Sequence, residues 1–147
     1  MAILAELDQT FGGYPKPEEF TDRSHCDECT EHDNTLQKGR DRITRTDLGN
    51  PGWDPVGFCR KEGLFYLFPT LARYAFVPDL WRDREWYGAQ ILDHLDNGSI
   101  LYRESSAAEK RLMARFLGVL ETVAKDFNDP QSTLAQTNAL RDLWAGR

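Results

Sequence analysis

A chain of 147 residues in which 40% of the side chains are hydrophobic and 12% are aromatic can form one core, which excludes wholesale disorder. Its formal net charge of −6 at pH 7 argues against a general nucleic-acid binder, because such proteins normally present a basic face. We therefore expect a single domain over residues 1–147 whose acidic surface suits a basic partner protein.

No segment has the length or composition of a membrane span or a secretion signal. The longest apolar run, residues 64–77, is shorter than the roughly 20 residues that a span requires, and it contains Pro69 and Arg73. The first residues lack a basic stretch, and Glu6 and Asp8 interrupt their apolar pattern. We therefore expect a soluble, cytoplasmic protein whose three cysteines are free or metal-bound thiols.

The first predicted elements are a short helix and a long irregular section. Apolar residues recur at helical spacing over residues 2–11, and two glycines follow. Residues 12–60 show little helical periodicity and contain a turn signal at residues 50–52. Asp54 and Pro55 have the pattern of an N-cap followed by the first residue of a short helical turn.

The most apolar part of the chain predicts the central core helix. Leucine, phenylalanine and alanine side chains over residues 64–77 fall on one helical face. Pro69 lies inside this segment and is expected to kink the helix or start a new one. A strand at residues 64–68 is the alternative, since periodicity alone does not assign a short apolar run.

The remaining elements are also helices. One is expected from about residue 82 to residue 96, and a capping box at residues 106–109 opens a long helix. Another follows the proline at position 130. The predicted fold is therefore mainly α, a single compact helical domain with an irregular, metal-pinned section between about residues 12 and 60.

The most informative motif is His-Cys-Asp-Glu-Cys-Thr-Glu-His at residues 25–32. Thiolates and imidazoles at this density are typical of a zinc site. If the chain turns at Cys26 and becomes helical, Cys29 and His32 lie one turn apart on the same side. The predicted metal ligands are His25, Cys26, Cys29 and His32. The fourth position is the one assigned to His25, and the alternatives for it are Asp22, Asp33 and Cys59.

A structural zinc is the favoured role for this motif. Structural sites supply roughly 10–16 kcal/mol of apparent binding energy in small peptides, which is ample to pin the irregular section to the helices. The alternatives are a zinc hydrolase with Glu28 or Glu31 as the base, a metal or redox sensor, and chance spacing on an exposed helix. A reactive thiol pair is disfavoured, because the acidic neighbours are expected to raise the pKa of both thiols.

Two surfaces are candidates for a protein partner. Residues 18–33 carry seven acidic side chains and one basic one, which suits a solvated face that meets a basic partner. Ten of the seventeen aromatic residues lie between positions 53 and 87. A large core explains most of them, and a binding groove is the alternative. The residues of that predicted groove are Trp53, Tyr66, Trp81, Trp86 and Tyr87.

Three segments together resemble a family of small, functionally uncharacterised bacterial proteins. They are the motif at residues 25–32, Leu-Gly-Asn-Pro-Gly-Trp-Asp-Pro at residues 48–55 and Phe-Tyr-Leu-Phe-Pro at residues 65–69. The resemblance covers residues 20–95 and implies a bacterial, cytosolic protein whose aromatic-rich segment is a helix with an internal proline. Phe68 stands where that family usually has leucine. The resemblance implies no activity and no catalytic residues.

Overall fold

Helices follow the apolar periodicity of the sequence in this computed structural model, which describes residues 1–77, 86–126 and 131–147. Within these ranges there is no β-strand, and one hydrophobic core joins the helices into a single compact, mainly α fold. None of the described helices is both long and apolar enough to cross a membrane. The α-helices are α1 (Ala2–Phe11), α2 (Asp27–Leu36), α3 (Lys61–Ala75), α4 (Tyr87–Ile91), α5 (Ile100–Glu104), α6 (Ala107–Asp126) and α7 (Gln131–Trp144), with 3₁₀ helices at Pro55–Phe58 and Leu92–His94.

The central helix of the core is α3. Eleven of its fifteen residues are buried, and α1, α4 and α5 pack against it. The helical backbone continues through Pro69, so the alternative of a strand at residues 64–68 is wrong. Neighbours on several sides explain why this segment is apolar over so much of its surface.

The predicted capping box opens α6. The hydroxyl of Ser106 accepts a hydrogen bond from the backbone N–H of Glu109 at 3.1 Å, and the carboxylate of Glu109 accepts one from the N–H of Ser106 at 2.8 Å. The terminal helix α7 packs against α6. Trp144 Nε1 also donates to the carbonyl of Leu95 at 2.8 Å, which ties the end of the chain to the middle.

The helix predicted over residues 82–96 is shorter than expected. The structure has α4 followed by the 3₁₀ helix at Leu92–His94, while residues 82–85 lie outside the described part of the chain. The short helix α5 was not predicted from the sequence. The hydroxyl of Ser99 caps it by accepting a hydrogen bond from the N–H of Tyr102 at 3.1 Å.

Residues 12–60 contain α2, one 3₁₀ helix and a series of turns. The predicted turn at residues 50–52 is closed by a hydrogen bond from the N–H of Trp53 to the carbonyl of Asn50 at 3.0 Å. The predicted N-cap is confirmed, because the carboxylate of Asp54 accepts a hydrogen bond from the N–H of Val56 at 2.9 Å. Side-chain hydrogen bonds therefore organise much of this section.

Candidate metal centre

The helix α2 begins where the chain turns at Cys26. The backbone of Cys26 is extended, with φ −167° and ψ 170°, and its Sγ accepts a hydrogen bond from the N–H of Cys29 at 3.3 Å. Asp27 and Glu28 occupy the first helical turn, where their negative charges interact favourably with the helix dipole. The condition that placed Cys29 and His32 one turn apart, a helix that begins after Cys26, is therefore met.

Two threonine side chains fasten the preceding loop to this helix. Thr21 Oγ1 donates to the carbonyl of Cys29 at 2.6 Å. Thr30 Oγ1 donates to the carbonyl of Arg23 at 2.9 Å. Because the bonds run from the loop to the helix and from the helix to the loop, they fix the backbone on both sides of the motif.

Three of the four predicted metal ligands come together at this turn. The Sγ atoms of Cys26 and Cys29 lie 3.2 Å apart, and His25 Nδ1 lies 3.4 Å from Cys29 Sγ. All three ligand atoms lie within 4.8 Å of one another. His25 and Cys26 are exposed and Cys29 is buried, so an ion can approach from solvent. This group can hold a metal ion.

The spacing of the three atoms suits a tetrahedral ion after a small adjustment. Bonds of about 2.3 Å to sulfur and about 2.0 Å to nitrogen place two thiolates roughly 3.8 Å apart, and a thiolate and an imidazole roughly 3.5 Å apart. The observed separations of 3.2 Å between the sulfurs and 3.4 Å between Cys29 Sγ and His25 Nδ1 are shorter, and the two thiols form a hydrogen bond. Metal binding deprotonates both thiols, which removes that bond and lets the sulfurs separate.

His32 lies outside the three-residue group. Its side chain is 1% exposed, and its Nε2 lies 3.3 Å from a carboxylate oxygen of Glu28. The rings of Trp53 and Phe58 contact it, with centroid distances of 4.6 Å and 5.3 Å. His32 therefore packs α2 against the segment that contains these aromatic residues, and its role as a metal ligand stays a prediction.

The three other candidates for a fourth ligand have different surroundings. Asp33 is buried and accepts several hydrogen bonds from the protein. Cys59 is buried in the core, and this burial raises its pKa far above the ordinary value. Asp22 is exposed, and its carboxylate interacts electrostatically with His25 and Cys29. Asp22 is thus the only exposed one of the three, and its Oδ1 accepts hydrogen bonds from the N–H and the hydroxyl of Ser24 at 3.0 and 2.6 Å.

The two thiols of the group have opposite pKa shifts. Hydrogen bonds from the backbone N–H and the side chain of Cys29, and from His25, hold the pKa of Cys26 below its ordinary value. The hydrogen bond with Cys26, together with burial and neighbouring negative charges, raises the pKa of Cys29 to about 11. The expectation that the acidic neighbours raise both pKa values is therefore wrong for Cys26, where hydrogen bonding outweighs the more distant carboxylates.

The sequence analysis missed a second polar cluster. Asp54 Oδ2 lies 2.8 Å from His94 Nε2 and accepts a hydrogen bond from Gln90 Nε2 at 3.0 Å. The side chains of Asp54 and His94 are 9% and 11% exposed. His94 lines two cavities of about 290 and about 420 Å³. The local sequence identified Asp54 only as an N-cap, and the 40 residues that separate it from His94 hide the pairing.

Among the described aromatic residues, two are exposed and the others are buried or partly buried. Trp53 and Phe58 are 46% and 43% exposed, and both contact His32. Burial supports the favoured expectation that a large core explains most of these aromatic residues, and Trp53 is the exposed member among the described residues of the alternative groove. Those in the core are Tyr66, Trp86 and Tyr87, while Trp81 lies outside the described residues.

Comparisons with known proteins provide no family assignment. No family model, curated protein or solved structure matches this chain. The resemblance to a bacterial family therefore stays a prediction. The function has to be inferred from the side chains described above.

Proposed function

We propose that this protein is a small zinc-binding helical protein in which the metal has a structural role. The observation that carries the proposal is the convergence of His25 Nδ1 and the Sγ atoms of Cys26 and Cys29 within 4.8 Å. Two thiolates and an imidazole favour Zn²⁺ over Mg²⁺ and Ca²⁺, which prefer oxygen ligands. A reducing cytoplasm, in which thiols stay available for metal binding, is the compartment that suits this site.

The structural role follows from what the ligands connect. His25 and Cys26 belong to the loop before α2, and Cys29 belongs to its first turn. A bound ion cross-links these two parts of the chain within the irregular section at residues 12–60. The unfolded chain has no preformed site, so the free energy of metal binding adds to the free energy of folding.

A fourth ligand from the protein distinguishes this role from catalysis. We propose His32 or Asp22 for that position; a bound water there suits the hydrolase alternative instead, with Glu28 or Glu31 as the base. Glu28 already interacts with His32 at 3.3 Å. Cavities of about 290, 420 and 630 Å³ in the described part of the chain are lined by residues other than the three ligands.

We further propose that the protein acts by recognising a partner protein through Trp53 and Phe58. Both side chains are nearly half exposed, and Phe58 borders the cavity of about 420 Å³. Glu28 and Asp93 also line this cavity. Exposed aromatic rings beside carboxylates suit a basic segment, because a lysine or arginine side chain can contact both.

Metal content is the measurement that tests the zinc proposal. The unmodified chain, purified without chelator and analysed by elemental mass spectrometry, is expected to carry about one zinc ion per chain. The Cys26→Ser/Cys29→Ser double variant is expected to carry none. Cys59→Ala is the matched control, because it removes a thiol outside the group and should retain the metal. Loss of zinc in Cys59→Ala but not in the double variant, or no zinc in the unmodified chain, would overturn the proposal.

The fourth ligand and the partner surface need separate tests. Zinc affinity is expected to fall in either His32→Gln or Asp22→Asn, whichever removes the fourth ligand. Loss of a detected hydrolytic activity in Glu28→Gln, without loss of metal, would instead support the hydrolase.

Calorimetry with a lysine- and arginine-rich peptide tests the partner surface, and it should show that Trp53→Ala weakens binding of the peptide by about 1–2 kcal/mol. Equal binding by this variant and the unmodified chain would contradict the partner surface.

A further inference from the structure

The two sulfurs of the metal group differ in their access to solvent. Cys26 is exposed, whereas Cys29 is only 3% exposed. Their Sγ atoms lie 3.2 Å apart, a short closure away from the roughly 2.05 Å of a disulfide bond. A reagent that reacts with Cys26 at the surface therefore has a second thiol directly behind the sulfur that it modifies.

The surroundings of each sulfur suit a different chemical step. Cys26 is exposed, and its Sγ accepts a hydrogen bond from the backbone N–H of Cys29, which holds the sulfur at the surface, within reach of a disulfide in solvent. Cys29 Sγ lies 3.4 Å from His25 Nδ1, and an imidazole nitrogen can accept the proton of a thiol. The exposed Cys26 sulfur is thus placed to attack a disulfide from solvent, and the buried Cys29 sulfur is placed to attack Cys26 in a second step.

We propose that the metal-free pair carries out thiol–disulfide exchange with small disulfides such as oxidised glutathione, with Cys26 as the attacking thiolate and Cys29 as the resolving thiol. This inference rests on the proposed function in one respect, which is that the same two sulfurs bind the metal. Metal binding and exchange therefore exclude each other, and zinc protects the pair from oxidation.

The first step forms a mixed disulfide. The Cys26 thiolate, after losing its proton to solvent, attacks one sulfur of oxidised glutathione. A bond forms between Cys26 Sγ and that sulfur, the glutathione disulfide bond breaks, and the departing glutathione thiolate takes a proton from solvent.

The second step closes the intramolecular disulfide. Cys29 Sγ attacks Cys26 Sγ, its proton passes to His25 Nδ1 and then to solvent, and the second glutathione leaves as a thiolate that is protonated. The protein dithiol loses two electrons, and one glutathione disulfide is reduced to two thiols. No other oxidant is needed.

The experiment uses the full chain, freed of metal by a chelator and treated with oxidised glutathione. After acid quenching and alkylation, peptide mapping by mass spectrometry is expected to find a Cys26–Cys29 disulfide and no retained glutathione. The Cys29→Ser variant should instead retain one glutathione on Cys26. Cys26 should react at least ~10-fold faster than Cys59 in the same molecule, and added zinc should slow this reaction at least ~10-fold.

Retained glutathione on the unmodified chain, or equal rates at Cys26 and Cys59, would overturn the exchange proposal. The rate comparison is made within the unmodified chain, so it does not depend on whether a variant folds. Zinc content measured on the same preparation separates this inference from the proposed function. Exchange without zinc binding would overturn only the metal site, and zinc binding with an inert dithiol would overturn only the exchange.

Discussion

Asp33 Oδ1 accepts a hydrogen bond from the backbone N–H of Phe20 at 2.6 Å, across 13 positions of sequence. The other carboxylate oxygen accepts one from the guanidinium of Arg23 at 2.7 Å. The side chain of Asp33 is 2% exposed, so this carboxylate is a buried link between α2 and the loop that carries the metal group. Burial alone would raise the pKa of Asp33, but the hydrogen bonds outweigh it and hold the pKa below its ordinary value.

Replacing this carboxylate should destabilise the fold. Asp33→Asn is expected to lower the free energy of unfolding at pH 7 by about 2–3 kcal/mol, because it removes a charge and turns an amide N–H₂ toward groups that donate hydrogen bonds. Urea denaturation measures the change. Glu31→Gln, on the exposed side of the same helix, is the control and should change the value by less than about 0.5 kcal/mol. Equal losses in the two variants would contradict a specific role for Asp33.

The same group predicts a dependence of stability on acid. The folded-state pKa of Asp33 lies below the value of about 3.9 for an unfolded aspartate. Its contribution is therefore complete above that unfolded pKa and disappears as the pH falls through the folded pKa. Melting temperatures measured from pH 7 to well below pH 4 should show the unmodified chain and Asp33→Asn converging only at the acid end, below about pH 4. A gap that stays constant over this range would rule out the linkage.

The pairing of Asp54 with His94 gives a second acid-dependent contribution. Burial alone would raise the pKa of Asp54, but His94 and hydrogen bonds from Gln90 and the Val56 N–H hold it below its ordinary value. His94→Gln is expected to lower the free energy of unfolding by about 1–3 kcal/mol at pH 6. The loss should diminish below about pH 4, since the contribution of an aspartate with a lowered pKa is lost on protonation. Denaturant unfolding of both proteins at pH 6 and at a pH below 4 measures the loss of unfolding free energy.

Asp93, next to His94 in the sequence, is a control whose substitution should not lower the stability of the fold. Burial, and the charges of Asp54 and Asp96, raise the pKa of Asp93 although His94 acts against them. Its negative charge is therefore unfavourable in the folded state at neutral pH. Asp93→Asn should leave stability unchanged or slightly higher at pH 6. A destabilisation as large as that of His94→Gln would contradict this account of the cluster.

The close approach of Gly63 to Phe20 can be tested by adding one methyl group. A Cβ on Gly63 would lie 2.7 Å from Cδ1 of the fully buried Phe20 ring. Gly63→Ala is expected to cost about 1–2 kcal/mol, because overpacking outweighs the gain in helix propensity. In Gly57→Ala no atom lies within 4 Å of the added methyl, so its change should stay within about 0.5 kcal/mol. Chemical denaturation of both variants makes the comparison, and equal stabilities would refute the close contact.

A structural metal predicts a large thermal effect. Chelation of the unmodified chain, or the Cys29→Ser substitution, should lower the melting temperature by roughly 10 °C, because the metal's contribution to folding is lost. Differential scanning calorimetry with and without chelator measures this. Cys59→Ala should melt lower than the unmodified chain because it loses core packing, yet it should keep the full response to chelator. A melting temperature of the unmodified chain that does not respond to chelator would exclude a structural role.

Local sequence patterns were sufficient to predict the helical class and the positions of several local features. Apolar spacing predicted α1 and α3, and the capping box predicted the start of α6. These features depend on residues within a few positions of one another, so periodicity and capping patterns are sufficient to find them. The juxtaposition of His25, Cys26 and Cys29 is local in the same sense.

The surroundings of those local features depend on how the helices pack together. Packing places His32 in contact with Trp53 and Phe58 and pairs Asp54 with His94. It also buries Asp33 of α2 against the loop, where its carboxylate accepts hydrogen bonds, rather than leaving it on an exposed surface. It also gives the two thiols opposite pKa shifts. Burial, ring contacts and hydrogen bonds between distant positions depend on how the helices pack, and composition or spacing does not encode them in any local pattern.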